Sequence, residues 1–392
     1  MRTLISVLFL CGPALLLGCS DSTIQPSPDL SGADGSADEG DDSDDDGDVS
    51  DDQPDGDDGG GDDPDGDDGG DDGGGDTGEP VEDGPSAFEV CFEEISGPEE
   101  SGPDYDQFIP SIGSHCSGTD HQDIAGIERV VFLGDSVTVG TPPAADVDWY
   151  RNRLAEELAT EFGLERPDWF WQNVNLFEGM TYVQDSGDFA SCAEWGARTD
   201  DLMRDGDQVL NCFPEEQRGK TTLVVMTTGS NDLSNLTQGF IEGRSHEDMW
   251  AQTEEYVQLY RETIEWLVEP GRFPNGVHVV SANVYEFTDG TGDVTACPAA
   301  ALAGFDTAVT DPALEEMVVW SMEQYMSVAV ETNTDMLFML ETFCGHGFNY
   351  DDETGRCYRG PEAELWFDMT CIHPNELGHA VISDMVLDVV RE

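Results

Sequence analysis

The sequence predicts an α/β fold in which a five-stranded parallel sheet lies between two layers of helices. Two observations support this prediction. Short apolar runs that stop at glycine or polar residues are typical of buried parallel strands, and they alternate with longer segments whose apolar residues recur every three or four positions. Strands that alternate with helices imply a parallel sheet covered on both faces, which is a three-layer α/β/α arrangement.

Five strands and four helices are predicted along the chain. The first strand is the apolar run Arg129-Val-Val-Phe-Leu-Gly134, and the third is Thr221-Thr-Leu-Val-Val-Met-Thr227. Both are rich in residues that favour buried strands. The segment 146–162 is predicted to be a helix because Leu154 and Leu158 continue one apolar stripe. The full set comprises strands 129–134, 169–177, 221–227, 276–285 and 335–340, and helices 146–162, 247–268, 312–332 and 375–390.

The charge of the chain excludes one class of function. Its 392 residues include 85 acidic and 15 basic ones, a formal net charge of −70. A nucleic-acid binder that works through basic patches needs Lys and Arg that this chain lacks, and an anionic membrane surface is disfavoured for the same reason. Residues 20–86 hold 27 acids and no base, so residues 87–392 carry 58 acids against 14 bases, a net charge of −44.

The N-terminus predicts export. Arg2 precedes an apolar run over 4–17 that is too short to span a membrane comfortably. The run ends Leu-Leu-Gly18-Cys19, which resembles a bacterial lipoprotein signal. That resemblance implies removal of residues 1–18 and lipidation of Cys19, and hence a protein anchored in the cell envelope at the outer membrane. A plain secretory signal, which would release the protein, is the alternative.

Residues 19–86 are predicted to be the lipidated cysteine and a disordered tether. Asp and Gly dominate this segment, apolar side chains are nearly absent, and like charges keep such a chain extended. A calcium-binding repeat is a weaker interpretation, because the Asp spacing is irregular and no Glu closes a twelve-residue loop. Residues 87–128 show no clear period and are predicted to be a disulfide-pinned lead-in to a folded domain over 129–392.

The cysteines agree with export. Eight remain beyond Cys19, an even number that predicts up to four disulfides in an exported chain. Proximity favours Cys91–Cys116 and Cys192–Cys212. Zinc is the alternative, because Cys-x-His occurs at Cys344 and at Cys371, but these spacings are not those of finger-type sites. We therefore expect no metal. The eight cysteines are Cys91, Cys116, Cys192, Cys212, Cys297, Cys344, Cys357 and Cys371.

Three of the loops at the predicted strand ends carry reactive or polar residues. Ser136 follows the first strand in Gly-Asp-Ser, and Asn231 follows the third in Gly-Ser-Asn-Asp. His373 lies before the last helix, preceded by Asp368. In open α/β sheets the functional site lies at the carboxyl ends of the strands, so these side chains are expected to meet there.

These motifs resemble the SGNH, or GDSL-type, hydrolases. The resemblance covers residues 130–390 and is carried by motifs alone. It implies a flavodoxin-like sheet and a serine hydrolase without cofactor, in which Ser136 is the nucleophile and His373 the general base. It further implies that the backbone amides of Ser136 and Gly196 and the side chain of Asn231 form an oxyanion hole. Gly179 and Gly187 lie in the same loop as Gly196 and are alternatives for its role.

One position departs from the family pattern. The family usually has Asp three residues before the histidine, and here that residue is Thr370. Asp368 is the nearest acid, and we expect it to orient His373 if the loop folds back, with Cys371 as a possible staple. The alternative is a Ser–His dyad in which a carbonyl orients His373.

The sequence therefore predicts an exported, lipid-anchored hydrolase that cleaves carboxylic esters through an acyl-serine. We expect short acyl or acetyl esters on a small or polysaccharide substrate, a membrane contact only through Cys19, and no nucleic-acid partner. The alternative is a surface protein that binds glycans on a degenerate hydrolase scaffold. Thr370 at the expected acid position favours that alternative, and the intact Ser136, Asn231 and His373 oppose it.

Overall fold

The computed structural model describes residues 84–93, 95, 102–204 and 206–392. The predicted signal, Cys19 and the tether up to residue 83 lie outside these residues. The described strands are β1 (Arg129–Gly134), β2 (Val174–Asn175), β3 (Met180–Thr181), β4 (Asp185–Ser186), β5 (Phe189–Ser191), β6 (Thr222–Thr227), β7 (Val277–Ala282) and β8 (Asp335–Leu337). The α-helices are α1 (Ala87–Cys91), α2 (Ser136–Val139), α3 (Tyr150–Phe162), α4 (Trp169–Gln172), α5 (Gln208–Cys212), α6 (Ser230–Glu242), α7 (His246–Val268), α8 (Pro312–Thr332), α9 (Met339–Phe343) and α10 (Glu376–Arg391).

The central sheet is mixed and mostly parallel. Its spatial order is β4-β5-β1-β6-β7-β8, in which β5, β1, β6, β7 and β8 are parallel and β4 pairs with β5 in the antiparallel sense. The five parallel strands, numbered along the chain, follow the order 2-1-3-4-5 of flavodoxin-like folds. The predicted fold class is confirmed, with β4 as an additional edge strand.

Alternate residues of the central strands face opposite helical layers. In β1, Val131 and Leu133 pack in one core with residues of α7 and α8, whereas Val130 and Phe132 pack in a second core with residues of α3 and α10. All six residues of β1 are buried. A strand that is buried on both faces reads as a continuous apolar run, which is the signal from which it was predicted.

The predicted strand over 169–177 is wrong. Asp168 accepts hydrogen bonds from the amides of Phe170 and Trp171 at 2.9 and 3.1 Å, which starts the short helix α4. An aspartate in that position is a strong helix N-cap. The following β2 pairs with β3 in a separate two-stranded sheet, and the second parallel strand of the main sheet is β5. Only three residues long, β5 has too little apolar sequence to be recognised.

The lead-in covers the outer edge of the sheet. Thr119 donates its amide hydrogen to the Met336 carbonyl and Phe338 donates to the Ser117 carbonyl, both at 3.0 Å, so backbone groups beside β8 are satisfied by residues of this segment. An edge strand that is paired in this way is protected from association with other chains. The segment is held by the Cys91–Cys116 disulfide.

The eight cysteines form four disulfides. Cys91–Cys116 and Cys192–Cys212 are the pairs favoured by sequence proximity, and both are present. The other two are Cys297–Cys371 and Cys344–Cys357. The zinc alternative depended on the sulfurs of Cys344, Cys357 and Cys371, and all three are consumed in disulfides. Among the described helices, none combines the length and the apolar character that crossing a membrane requires.

The ion pairs of the folded part predict a salt dependence of its stability. Most basic side chains already lie against carboxylates, as Lys220 does at 2.9 Å from Asp188 and Arg391 at 2.8 Å from Glu161. With 58 acids against 14 bases over residues 87–392, most carboxylates have no cation to pair with. Salt screens their repulsion. We expect the melting temperature, measured by differential scanning fluorimetry, to rise from low salt to molar NaCl; a flat or falling curve would contradict this.

Candidate active site

The turn after β1 is shaped by one glycine. Gly134 has a φ of +123°, and a Cβ at this position would lie 1.8 Å from the carbonyl oxygen of Thr227 on the neighbouring strand. Any residue with a side chain is therefore excluded there. Asp135 then caps α2 by accepting a hydrogen bond from the Val137 amide at 2.9 Å. Ser136, the first residue of α2, is thereby placed at the carboxyl end of β1.

The turn after β6 lies beside it. α6 begins at Ser230, and Asn231 donates its side-chain amide to the Ala197 carbonyl at 2.8 Å. Asp232 accepts hydrogen bonds from the amide and the hydroxyl of Thr199 at 3.0 and 2.9 Å. The first turn of α6 therefore binds the loop that contains Gly196. Because β1 and β6 are neighbours at the point where the strand order reverses, both turns lie at the topological switch point of the sheet.

Gly196 lies nearer to this site than the two alternative glycines. It follows β5 on the carboxyl side, with a φ of +79°, and it precedes Ala197, the residue that Asn231 binds. Gly187 joins β4 to β5 and so lies at the opposite end of the sheet. Gly179 lies in the turn between β2 and β3. Within the described chain, the amide of Gly196 donates no hydrogen bond that would occupy it.

His373 is held in a small hairpin between α9 and α10. The backbone of Phe367 pairs with that of Pro374, and the Asp368 amide donates to the His373 carbonyl at 2.9 Å. Asn375 then caps α10 by accepting hydrogen bonds from the amides of Leu377 and Gly378. Asp368 and His373 are thus cross-strand neighbours, although five positions separate them in the sequence.

Four side chains form a continuous line of hydrogen bonds. Ser136 Oγ lies 2.9 Å from His373 Nε2, and His373 Nδ1 lies 2.8 Å from Thr370 Oγ1. The Thr370 hydroxyl donates to Asp368 Oδ1 at 2.5 Å, and the Thr370 amide donates to the same oxygen at 2.7 Å. Asp368 therefore reaches the imidazole through the hydroxyl of Thr370, where a direct contact was expected.

This line determines which imidazole nitrogen carries the proton. The single proton of the Thr370 hydroxyl is directed at Asp368, so Thr370 Oγ1 can only accept from His373. His373 Nδ1 must then be protonated, which leaves Nε2 as an acceptor for the Ser136 hydroxyl. A neutral imidazole in this tautomer is the form that can remove a proton from a serine.

Burial sets the charge states around this line. Desolvation lowers the pKa of His373 to about 4, which keeps the imidazole neutral at rest. Desolvation also raises the pKa of Asp368, although its hydrogen bonds from Thr370 oppose this effect. The pKa values of Asp135 and Asp232 rise to about 7 for the same reason. Removing a charge from water disfavours the charged form of each group.

Two further contacts hold the hairpin in place. The Cys297–Cys371 disulfide ties its turn to the loop after β7, and Cys371 has a φ of +77°. The Tyr285 hydroxyl donates to the Ile372 carbonyl at 2.8 Å. The sequence predicted that Cys371 holds this loop. It did not predict the roles of Tyr285 or of Gln208, whose side-chain amide forms hydrogen bonds with both backbone groups of Gly134. Neither residue belongs to a motif, so no sequence signal identified them.

The structure thus brings together most of the predicted site residues. Ser136 and His373 are in contact, and the Thr370 hydroxyl links Asp368 to His373. Asn231 binds Ala197, the residue that follows Gly196. Cys19 lies outside the described residues. The arrangement places a serine hydroxyl against an imidazole nitrogen that can accept its proton, which is a contact that acyl transfer requires.

Comparisons with known proteins show similar solved structures. An acetyl xylan esterase is 16% identical over 67% of this chain and 99% of its own, with a TM-score of 0.38. A gut microbial diltiazem-metabolizing enzyme is 14% identical over 69% of this chain and 49% of its own, with a TM-score of 0.42. A lipase from a goat rumen metagenome is 13% identical over 67% and 97%, with a TM-score of 0.38. Neither a family model nor a curated protein matches the chain.

The burial of His373 predicts its titration. Because desolvation lowers the pKa of His373 to about 4, its imidazole should stay neutral as the pH falls through 6 and become protonated only near pH 4. The ¹⁵N chemical shifts of the imidazole, followed by NMR over this range, report the step directly. Titration of His373 near its ordinary value of about 6.5 would show that water reaches the ring.

Proposed function

We propose that this protein is an exported serine hydrolase of the SGNH, or GDSL, type that cleaves carboxylic esters through an acyl-serine intermediate. The observation that carries the proposal is the hydrogen-bonded line from Ser136 through His373 and Thr370 to Asp368. A nucleophile, a base and a group that orients the base, each within hydrogen-bond distance of the next, form the signature of covalent acyl transfer.

The reaction proceeds in two half-steps. His373 Nε2 takes the proton of the Ser136 hydroxyl while Oγ attacks the ester carbonyl carbon. The tetrahedral intermediate then expels the alcohol, which leaves with the proton from Nε2, and the acyl group remains on Ser136. Water next attacks the acyl carbon, gives its proton to Nε2, and the acid leaves as Ser136 recovers its hydrogen.

Three N–H groups are proposed to bind the oxyanion. These are the backbone amides of Ser136 and Gly196 and the second hydrogen of the Asn231 side-chain amide, the first being donated to the Ala197 carbonyl. The use of one hydrogen in that contact fixes the orientation of the amide before substrate arrives. Donors that are already oriented lower the energy of the developing negative charge without reorganisation.

The substrate is proposed to be an uncharged ester with a short acyl group, such as acetyl. The folded residues carry a net charge of −44, which repels anionic substrates and anionic lipid surfaces. The proposal includes export and anchoring through Cys19, with residues 20–86 as a spacer between the lipid and the catalytic domain. The catalytic step needs no metal or organic cofactor.

The second candidate function is glycan binding without turnover on a degenerate hydrolase scaffold. It is favoured by Thr370, which stands where the family has its acid. A fluorophosphonate probe distinguishes the two functions, because it modifies only a serine that an adjacent base activates. Labelling at Ser136, located by peptide mass spectrometry, supports the hydrolase. A folded protein that takes up no label would favour the binding function.

Replacement of the nucleophile provides the first kinetic prediction. Ser136→Ala should remove nearly all activity on p-nitrophenyl acetate, since no other attacking group is available in the proposed reaction. Asn231→Ala should lower kcat by about 10²–10³ because one oxyanion donor is lost. Steady-state kinetics check both, with wild-type melting as the control. Activity of Ser136→Ala within tenfold of wild type would overturn the assignment.

Replacements of Asp368 and Thr370, the groups proposed to orient His373, provide the second kinetic prediction. Asp368→Asn keeps an acceptor for the Thr370 hydroxyl but removes the charge that stabilises the imidazolium. The corresponding exchange in a serine protease lowers kcat about 10⁴-fold. Because the hydroxyl of Thr370 separates Asp368 from His373, we expect a smaller loss of about 10²–10³. Thr370→Val should lose at least as much, because it leaves His373 Nδ1 without a partner and leaves Asp368 only the backbone amide of residue 370.

Thr370→Ser is the matched control for this pair. It retains the hydroxyl, so its kcat should stay within about tenfold of wild type, given how strongly rates depend on hydrogen-bond geometry. Full activity of Thr370→Val would show that the hydroxyl does not connect Asp368 to His373. Full activity of Asp368→Asn, with a loss in Thr370→Val, would identify Thr370 as the only orienting group.

A further inference from the structure

An exposed group of aromatic side chains lies in the segment that connects β1 to β5 along the chain. The exposed fractions are 57% for Trp169, 54% for Phe170, 49% for Tyr182 and 100% for Phe177. We call these four residues the aromatic platform. Of the three residues 169–171, Trp171 alone is buried.

Three rings of the aromatic platform contact one another. Trp169 and Tyr182 stack with ring centroids 5.9 Å apart and planes 19° apart, and Phe170 meets both edge-on. Beneath them Trp171 is buried, with the Arg151 guanidinium 4.3 Å from its ring. Arg151 also donates to the Trp171 carbonyl at 2.9 Å. A surface built on such anchors loses little conformational entropy when a ligand binds.

The aromatic platform is connected to the candidate active site by short contacts. Trp195 donates its amide to the Gly179 carbonyl at 2.9 Å, in the turn of the β2–β3 hairpin that also presents Phe177. The same Trp195 precedes Gly196 and donates its indole N–H to the Gly140 carbonyl at 3.0 Å. Gly140 ends α2, the helix that begins at Ser136. The hairpin that carries Phe177 is therefore joined through Trp195 to the loop of Gly196 and to the end of α2.

Within the described part of the chain, no residue covers this surface. Exposed Asp168 and Glu178 border the platform with negative charge, and like charges repel. The same repulsion opposes a second copy of the protein, whose folded part also carries a net charge of −44, and it opposes an anionic membrane.

A neutral polysaccharide is chemically complementary to this surface. The C–H faces of a sugar ring pack against aromatic faces, where the weak attraction of C–H groups to the ring adds to apolar burial. Carboxylates such as those of Asp168 and Glu178 accept hydrogen bonds, and sugar hydroxyls can donate them. Exposed apolar patches with a polar rim mark binding sites on protein surfaces.

We infer that the aromatic platform binds a neutral polysaccharide chain and presents its O-acyl groups to Ser136. This inference deepens the proposed function, and the presentation of O-acyl groups to Ser136 rests on that function. Binding of the polysaccharide is independent of catalysis. The platform therefore raises the affinity for polymeric substrate, and it does not affect the rate of the chemical step on a small ester.

The test compares two substrates in the same variants. Trp169→Ala and Tyr182→Ala should raise KM for acetylated glucomannan at least about tenfold, since aromatic anchors dominate recognition at such surfaces. Both should leave kcat and KM for p-nitrophenyl acetate within about twofold of wild type. Trp169→Phe, which keeps a ring, should recover part of the affinity. Leu210→Ala is the matched control, because Leu210 is an equally exposed apolar residue on α5, with an exposed fraction of 49%.

A binding measurement separates this inference from the proposed function. Ser136→Ala protein should migrate more slowly in native gels that contain glucomannan, and Ser136→Ala/Trp169→Ala protein should not. Retardation without esterase activity in the wild type would uphold the platform and refute the proposed hydrolase. Activity on p-nitrophenyl acetate without retardation, or binding to phosphatidylcholine vesicles in place of glucomannan, would overturn the inference.

Discussion

The parallel pairing of β1 with β6 is the interaction on which the candidate site depends. The two strands align residue by residue from Arg129 opposite Thr222 to Gly134 opposite Thr227, so they end at the same level. That alignment brings Ser136 and the first turn of α6 to one edge of the sheet. It also brings the Thr227 carbonyl so close to Gly134 that no side chain fits. The glycine is therefore required by the strand pairing, and the position of the serine follows from both.

The sequence predicted long, periodic elements well and short ones poorly. The helix over 312–332 and the strand over 129–134 were predicted with the bounds that the structure shows, because their apolar patterns extend over many residues. The segment 169–177 was misread, since its aromatic run fits a strand as well as a helix and only the cap by Asp168 decides between them. The three residues of β5 gain their strand conformation from pairing with β1, which is a tertiary effect that no local pattern records.

The same distinction applies to the site. Ser136, Asn231 and His373 could be identified because each lies in a short motif at a strand or helix end. Asp368 was also expected to orient His373, but the Thr370 hydroxyl that lies between them could not be predicted, because it depends on the hairpin that makes Asp368 and His373 cross-strand neighbours. That hairpin is tied by the disulfide between Cys371 and Cys297, which are distant in sequence. Spacing along the chain predicts contacts within a helix or a strand, but it says little about a loop whose shape comes from its partners.

The hydroxyl of Thr370 changes the electrostatics of the site as well as its geometry. A carboxylate in direct contact with an imidazole strongly favours the imidazolium, and this attraction weakens as the separation increases. Here the path from Asp368 Oδ1 to His373 Nδ1 includes two hydrogen bonds of 2.5 and 2.8 Å. Burial lowers the pKa of His373 to about 4. Such a base is neutral at rest, accepts a proton less readily, and returns it more readily to a leaving alcohol.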